Sequence, residues 1–236
     1  PDPRDGSAVT QSKIDFEEGR KHWAYQPVQM PERPEVEDKK WPRNNIDYFT
    51  LAKMEELGLS PVSGASKQAL IRRATYDLTG LPPVPADVKA YLEDESDEAF
   101  AKVIERLLDS PHYGERWGRY WLDVARYSED QAHTFATRPN TEGFRYRDWV
   151  VSAYNRDMPF NQFVKLQIAG DLYGPTDNQP YEHLVALGYF GLGAQYYKNT
   201  DRERAMADEL DDRIDTLTRG FLGLTVSCAR CHDHKF

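Results

Sequence analysis

From Ile46 to Leu222 the apolar side chains recur at helical spacing, and no period-2 alternation extends beyond four residues. A chain that buries one stripe per helix must pack helix on helix, so this rhythm limits the fold to an all-α domain. Ile46, Phe49, Leu51, Met54 and Leu57 form one stripe, stopped at Gly58. Ser66 is placed to cap a second helix, with Leu70, Ile71, Ala74 and Leu78 inward, closed by Gly80 and Pro82-Pro83. The spacing predicts further helices over 86–93, 97–108, 115–127, 146–155, 161–169, 181–192 and 202–222. In the 115–127 helix, Trp117, Trp121, Val124 and Ala125 are expected to share the buried face.

Residues 1–45 break this rhythm. Gln26-Pro27, Met30-Pro31, Arg33-Pro34 and Trp41-Pro42 resist helix, because proline fixes φ and removes a donor. The expected organisation is an extended Pro-rich arm over 1–45, then an irregular helical domain over 46–236. The polar stretch 128–143 is a long excursion between helices, a place where function concentrates. The start at Pro1 and the end close after a chemical motif are read as a processed or partial chain.

Charge narrows the function classes. A net charge of −9 argues against nucleic acid as a partner, since phosphate contacts need a basic face. No apolar run approaches the length of a membrane span. Aromatic residues make up 12% of the chain, too many for disorder, and imply a core built from rings.

The only two cysteines lie in Cys228-Ala229-Arg230-Cys231-His232-Asp233-His234. Cys-x-x-Cys-His is the attachment signature of c-type haem: two thiols three residues apart bond the porphyrin, and the adjacent imidazole reaches the iron. The expectation is one covalent haem on Cys228 and Cys231 with His232 as iron ligand. Two other chemistries use the same residue types. Zinc takes Cys₂His₂ sets, but its ligand pairs are usually spaced by a dozen residues or more. A redox dithiol of the thioredoxin kind belongs in a βαβ context that this sequence lacks.

Around that centre, His133 in the 128–143 excursion is the candidate for the other face of the iron, with Phe135 beside it to pack on a porphyrin. Arg147 is the candidate for a haem propionate, through its planar fork. Glu129, Asp130 and His133 are the parts of an acid–base site, or else of a solvated loop. The stretch Asp201–Asp215 holds seven acids and three arginines. It reads as a docking face for a basic redox partner or, more plainly, as the solvated side of a long helix.

Several blocks resemble a planctomycete-type domain of unknown function. They include Leu70-Ile71-Arg72-Arg73 with Asp77-Leu78-Thr79-Gly80-Leu81-Pro82-Pro83, Tyr113-Gly114-Glu115-Arg116-Trp117-Gly118, and Trp121-Leu122-Asp123-Val124-Ala125-Arg126-Tyr127. Tyr146-Arg147-Asp148-Trp149-Val150, Gln167-Ile168-Ala169-Gly170-Asp171, Asp211-Asp212-Arg213-Ile214-Asp215-Thr216 and the run Phe221–Phe236 continue the likeness. The resemblance implies export to the periplasm or beyond, a haem-type signature, and a larger parent protein that also carries a cytochrome c domain. It departs at Tyr120, where members often carry histidine.

Function is therefore expected to be electron transfer by a c-type cytochrome-like module, partnered by a redox protein or by the remainder of the parent chain. One alternative is a haem enzyme with an open iron site, or with a pocket in the 128–143 loop for a small-molecule or polysaccharide substrate. Another is a zinc-stabilised, non-redox interaction or carbohydrate-handling module.

Overall fold

The computed structural model describes residues 15–131, 138–174, 181–193 and 200–230. The chain divides into two compact units, Pro1–Gly64 and Ala65–Phe236. Both are helical; the described strands are two-residue bridges.

In the first unit, α1 (Phe16–Arg20) is capped by Asp15, whose carboxylate accepts the N–H groups of Glu17 and Glu18. A 3₁₀ turn, Trp23–Tyr25, follows. The proline-punctuated stretch from 26 to 44 carries no helix and leads into α2 (Asn45–Glu56), which starts on a capping box between Asn44 and Asp47. The extended stretch is tied to α2 by polar contacts. The Glu55 carboxylate accepts the N–H groups of Glu37 at 3.0 Å and Asp38 at 3.2 Å, and the Arg33 guanidinium lies 4.3 Å from the centre of the Tyr48 ring. Val36 and Leu51 are buried, whereas Trp23 is 81% exposed.

The second unit opens with α3 (Lys67–Thr79), α4 (Pro85–Glu93) and α5 (Ala99–Leu108). Ser66 caps α3 as expected, and Gly80 ends it in the left-handed region. Ile71, Ala74, Tyr91, Ala99, Val103 and Leu107 form the core between these helices.

A larger core is built by α6 (Pro111–Val124), α7 (Phe144–Asn155) and α8 (Phe160–Ala169), joined by α9 (Glu182–Val185) and α10 (Gly188–Gly191); α11 (Arg202–Leu217) follows, and Phe221 in the turn after it packs on this core. Rings fill it. Trp149 stacks on Phe163 at 5.2 Å with planes 8° apart, and Trp121 meets Phe163 edge-on at 4.9 Å. At its centre the Gln167 side-chain oxygen accepts the Trp121 indole N–H at 2.7 Å and the Tyr146 hydroxyl at 2.6 Å. The Gln167 amide in turn donates to the Phe163 carbonyl at 3.0 Å, so the buried side chain is satisfied at both ends.

Some sequence expectations shift. The expected 115–127 helix starts at Pro111, because Ser110 caps it and proline suits the first helical position. It stops at Val124, and Arg126 then takes φ 55°. Trp117 and Val124 are 37% and 40% exposed; the buried face runs Gly114, Gly118, Trp121 and Ala125. The two glycines let α7 approach closely: a β-carbon on Gly114 would lie 2.3 Å from the Val151 carbonyl oxygen. The expected 181–192 helix is two short helices, broken at Ala186 and Leu187. The 202–222 helix turns to π geometry over Thr218–Leu222.

The glycine contact yields a stability prediction. Gly114→Ala should lower the unfolding free energy by about 2–3 kcal/mol, because the carbonyl it meets is backbone and cannot swing aside. Gly64→Ala, where an added β-carbon meets nothing within 4 Å, is the control and should change it little. Equal urea midpoints for both variants would remove the close approach as a constraint.

Candidate functional site

The chain reaches its cysteine motif through α11. After the π turn, Gly223 takes φ 65°, and the Leu224 N–H closes the stop on the Thr218 carbonyl at 3.1 Å. The backbone then enters a 3₁₀ turn over Ser227–Arg230. Cys228 lies in this turn, exposed and with a free thiol. Arg230, between the two cysteines of the motif, folds back onto α11, with Nη2 2.5 Å from Asp208 and Nη1 3.6 Å from Asp211. Cys231, His232 and His234 lie outside the described residues, as does His133.

The acidic run has a structural use. Asp208, Asp211, Asp212 and Asp215 are spaced i, i+3, i+4, i+7 and so share one face of α11. Each is held by an arginine of this chain: Asp208 and Asp211 by Arg230, Asp212 by Arg126, and Asp215 by Arg126 at 2.5 Å and by Arg219 at 2.8 Å. The next residue along, Thr216, accepts the Tyr189 hydroxyl on its carbonyl at 2.9 Å. Burial raises the hydroxyl of Tyr189 to about 12, so it stays a donor. The motif Asp211–Thr216 therefore joins three things: the turn that carries Cys228, the end of α6, and the aromatic core.

Burial pushes the Asp215 carboxyl up, but hydrogen bonds from Arg219 and Arg126 more than offset it, leaving the carboxyl below its ordinary value. Arg126 is desolvated too, yet its carboxylate partners hold it more firmly charged than usual.

The excursion after α6 is pinned at its base. β1 (Asp130–Gln131) and β2 (Arg138–Pro139) pair antiparallel, Asp130 opposite Pro139. The Asn140 N–H donates to the Glu129 carbonyl at 2.8 Å and its side chain to Ser128 at 2.9 Å. Arg147, on α7, pairs with Glu129 and with Asp148, the latter at 3.0 Å. Glu129 also accepts the Tyr127 hydroxyl at 2.8 Å, and burial together with that carboxylate raises the phenol well above its usual range. Beside this base, a cleft of about 460 Å³ is lined by Asn140, Glu142, Arg145, Tyr146, Leu184 and Leu192 among others. Tyr120 is a half-exposed ring against Trp117 and Arg116.

Sequence reasoning found the cysteine motif and the polar base of the excursion. It missed the arginine clamp, although the heptad-like spacing of the aspartates was a readable sign. The arginine that answers Asp212 and Asp215 lies 86 and 89 residues away, a pairing only the fold creates.

The clamp has a pH signature. A carboxyl lower in the folded than in the unfolded chain contributes stability above the ordinary aspartate value of 3.8 and loses it as pH falls through the folded value. Asp215→Asn should cost about 2 kcal/mol near neutral pH. That difference should shrink as urea midpoints are followed downward from about pH 4. A gap between wild type and variant that does not change with pH would show that the carboxylate charge is not what holds the arginines.

A family model described as PSCyt2, a protein of unknown function (DUF1549), matches residues 45–236. No curated protein and no solved structure matches the chain. The matched residues cover most of the sequence, including both helical cores, the aspartate stripe and the cysteine motif, and the chain belongs to the PSCyt2 (DUF1549) family.

Proposed function

We propose that this chain is a c-type haem module: one haem held covalently by Cys228 and Cys231, with His232 on the iron, transferring electrons within an exported oxidoreductase system. The observation that carries the reading is the motif Cys228-Ala229-Arg230-Cys231-His232 itself. The geometry of the described part fits the group. The Cys228 thiol is exposed rather than packed in the core, and it sits in a 3₁₀ turn over Ser227–Arg230, where an attached group can be reached from solvent. Arg230 ties that turn to α11, so a group attached there would be fixed to the helical unit.

When bound, haem supplies a one-electron redox centre at its iron. The chain's own residues hold and orient it. Arg147 already has two carboxylate partners, so a propionate would gain it by exchange with Glu129. His133 is the proposed ligand on the other face. The aspartate stripe is engaged with arginines of the same chain, which favours the remainder of the parent protein over a basic docking protein as redox partner. Covalent attachment needs reduced thiols and machinery outside the cytoplasm, in keeping with a periplasmic or otherwise exported location. No helix among the described residues is long and apolar enough to cross a membrane. The cleft beside the 128–143 excursion supports a second reading, a haem enzyme whose iron keeps an open side.

Protein matured with a cytochrome c assembly system should show the mass of one added haem after denaturation and keep its haem stain on a denaturing gel. The double variant Cys228→Ser, Cys231→Ser should lose both. Colour that extracts into acidified organic solvent, or an intact mass without haem, would overturn the proposal. For the electron-transfer reading, the iron should be low-spin and His133→Ala should make it high-spin; a wild type already high-spin selects the enzyme reading.

A further inference from the structure

At the end of α7 the chain reverses through Asp157. The Asp157 N–H bonds to the Tyr154 carbonyl at 3.0 Å and the Met158 N–H to the Ala153 carbonyl at 2.9 Å, which places Asp157 in the left-handed region at φ 49°. Glycine takes this helix stop without steric cost, and asparagine is the usual second choice. An aspartate tolerates this conformation at a small steric cost that glycine would avoid. The Asp157 carboxylate is exposed; it makes no side-chain capping bond to α8, and among the described residues it has no ion pair and no side-chain hydrogen bond.

Asp157 stands at a pocket of about 210 Å³ lined by Tyr113, Ala153, Tyr154, Met158, Phe160 and Phe163. The rings form a connected set: Tyr113 and Tyr154 meet edge-on at 6.5 Å, Tyr154 and Phe163 at 6.0 Å, and Phe160 lies 6.5 Å from Phe163. The walls are fixed from behind. The Asn155 side chain accepts the Gly114 N–H at 2.7 Å and donates to the Pro111 carbonyl at 3.1 Å, locking the start of α6 to the end of α7. Phe163 is buried against Trp149. Among the described residues, no basic side chain lines the pocket.

Aromatic faces carry negative potential and attract cations, most strongly where water is displaced, and one carboxylate at the mouth adds a full charge of the same sign. The space is smaller than the roughly 300 Å³ at which sites for drug-sized ligands begin, so it suits a head group rather than a larger molecule. We propose that the pocket formed by Tyr113, Tyr154, Phe160, Phe163 and Asp157 binds a small organic cation, a quaternary or alkylated ammonium group. The site is independent of the haem proposal and stands or falls separately.

The test titrates the intact chain with choline and with its uncharged carbon isostere, 3,3-dimethylbutan-1-ol, following tryptophan fluorescence. Trp149 and Trp117 report, since each has a ring neighbour in the pocket wall, Phe163 at 5.2 Å and Tyr113 at 6.4 Å. Choline should saturate and bind at least about tenfold more tightly than the isostere. Asp157→Asn, which tolerates the same backbone conformation, should weaken choline about tenfold with no fall in the unfolding midpoint. Asp157→Gly should weaken it equally while raising that midpoint, because the steric cost is removed. No saturable choline binding, equal binding of the isostere, or full choline affinity in Asp157→Asn would each overturn the proposal.

Discussion

A single buried amide holds the larger core in register. Gln167 reaches from α8 to the indole of Trp121 on α6 and the hydroxyl of Tyr146 on α7, so three helices share one acceptor. Each of these polar groups would cost on the order of 1–3 kcal/mol if buried without a partner, which makes any other arrangement of the three helices expensive. The same burial keeps the Tyr146 hydroxyl protonated far above its usual range. The consequences pass outward along the chain. Fixing Trp121 fixes the end of α6, and the turn there presents Arg126 to Asp212 and Asp215. That pairing seats α11, and α11 in turn receives Arg230 and the turn carrying Cys228. The turn that carries Cys228 is thus anchored, through two ion-pair steps, to the larger core.

Both proposed sites make use of α6. Its C-terminal end leads to the arginine clamp, and its N-terminal end contributes Tyr113 to the aromatic pocket. A helix of 14 residues is about 21 Å long, so Tyr113 and the turn that presents Arg126 stand at opposite ends of it. The pocket arises where α6 begins, α7 ends and α8 begins, and Asp157 brings its exposed carboxylate to the aromatic lining.

Much of this fold was legible in the sequence because helices announce themselves locally. The stripe of Ile71 and Ala74, the Ser66 cap and the Gly80 stop can all be read within a few residues, and all are present. What escaped reading depends on distant partners. Trp117 looked like core by spacing, but Gly114 and Gly118 form the contact face, because the feature that matters there is how close α7 can come. Past the break between α9 and α10, a β-carbon on Gly188 would lie 2.7 Å from the Tyr146 side chain, another close approach that spacing alone does not announce. The aspartates of α11 read as solvated charge because their arginines are remote in sequence. For the site, the cysteine motif was legible because its residues lie within a few positions of one another, and Glu129 was legible as part of a polar excursion, while the pairing of Glu129 with Arg147 on α7 required the structure.

The central functional claim is a porphyrin bonded through both cysteines, and the most direct measurement is the absorption spectrum of the reduced protein in alkaline pyridine. This solvent unfolds the chain and replaces its iron ligands, leaving only the covalent links to shape the visible bands. The account predicts the spectrum of a haem with both vinyl groups saturated by thioethers. The spectrum of unmodified haem, or the absence of any haem bands in protein matured with a cytochrome c assembly system, would contradict it.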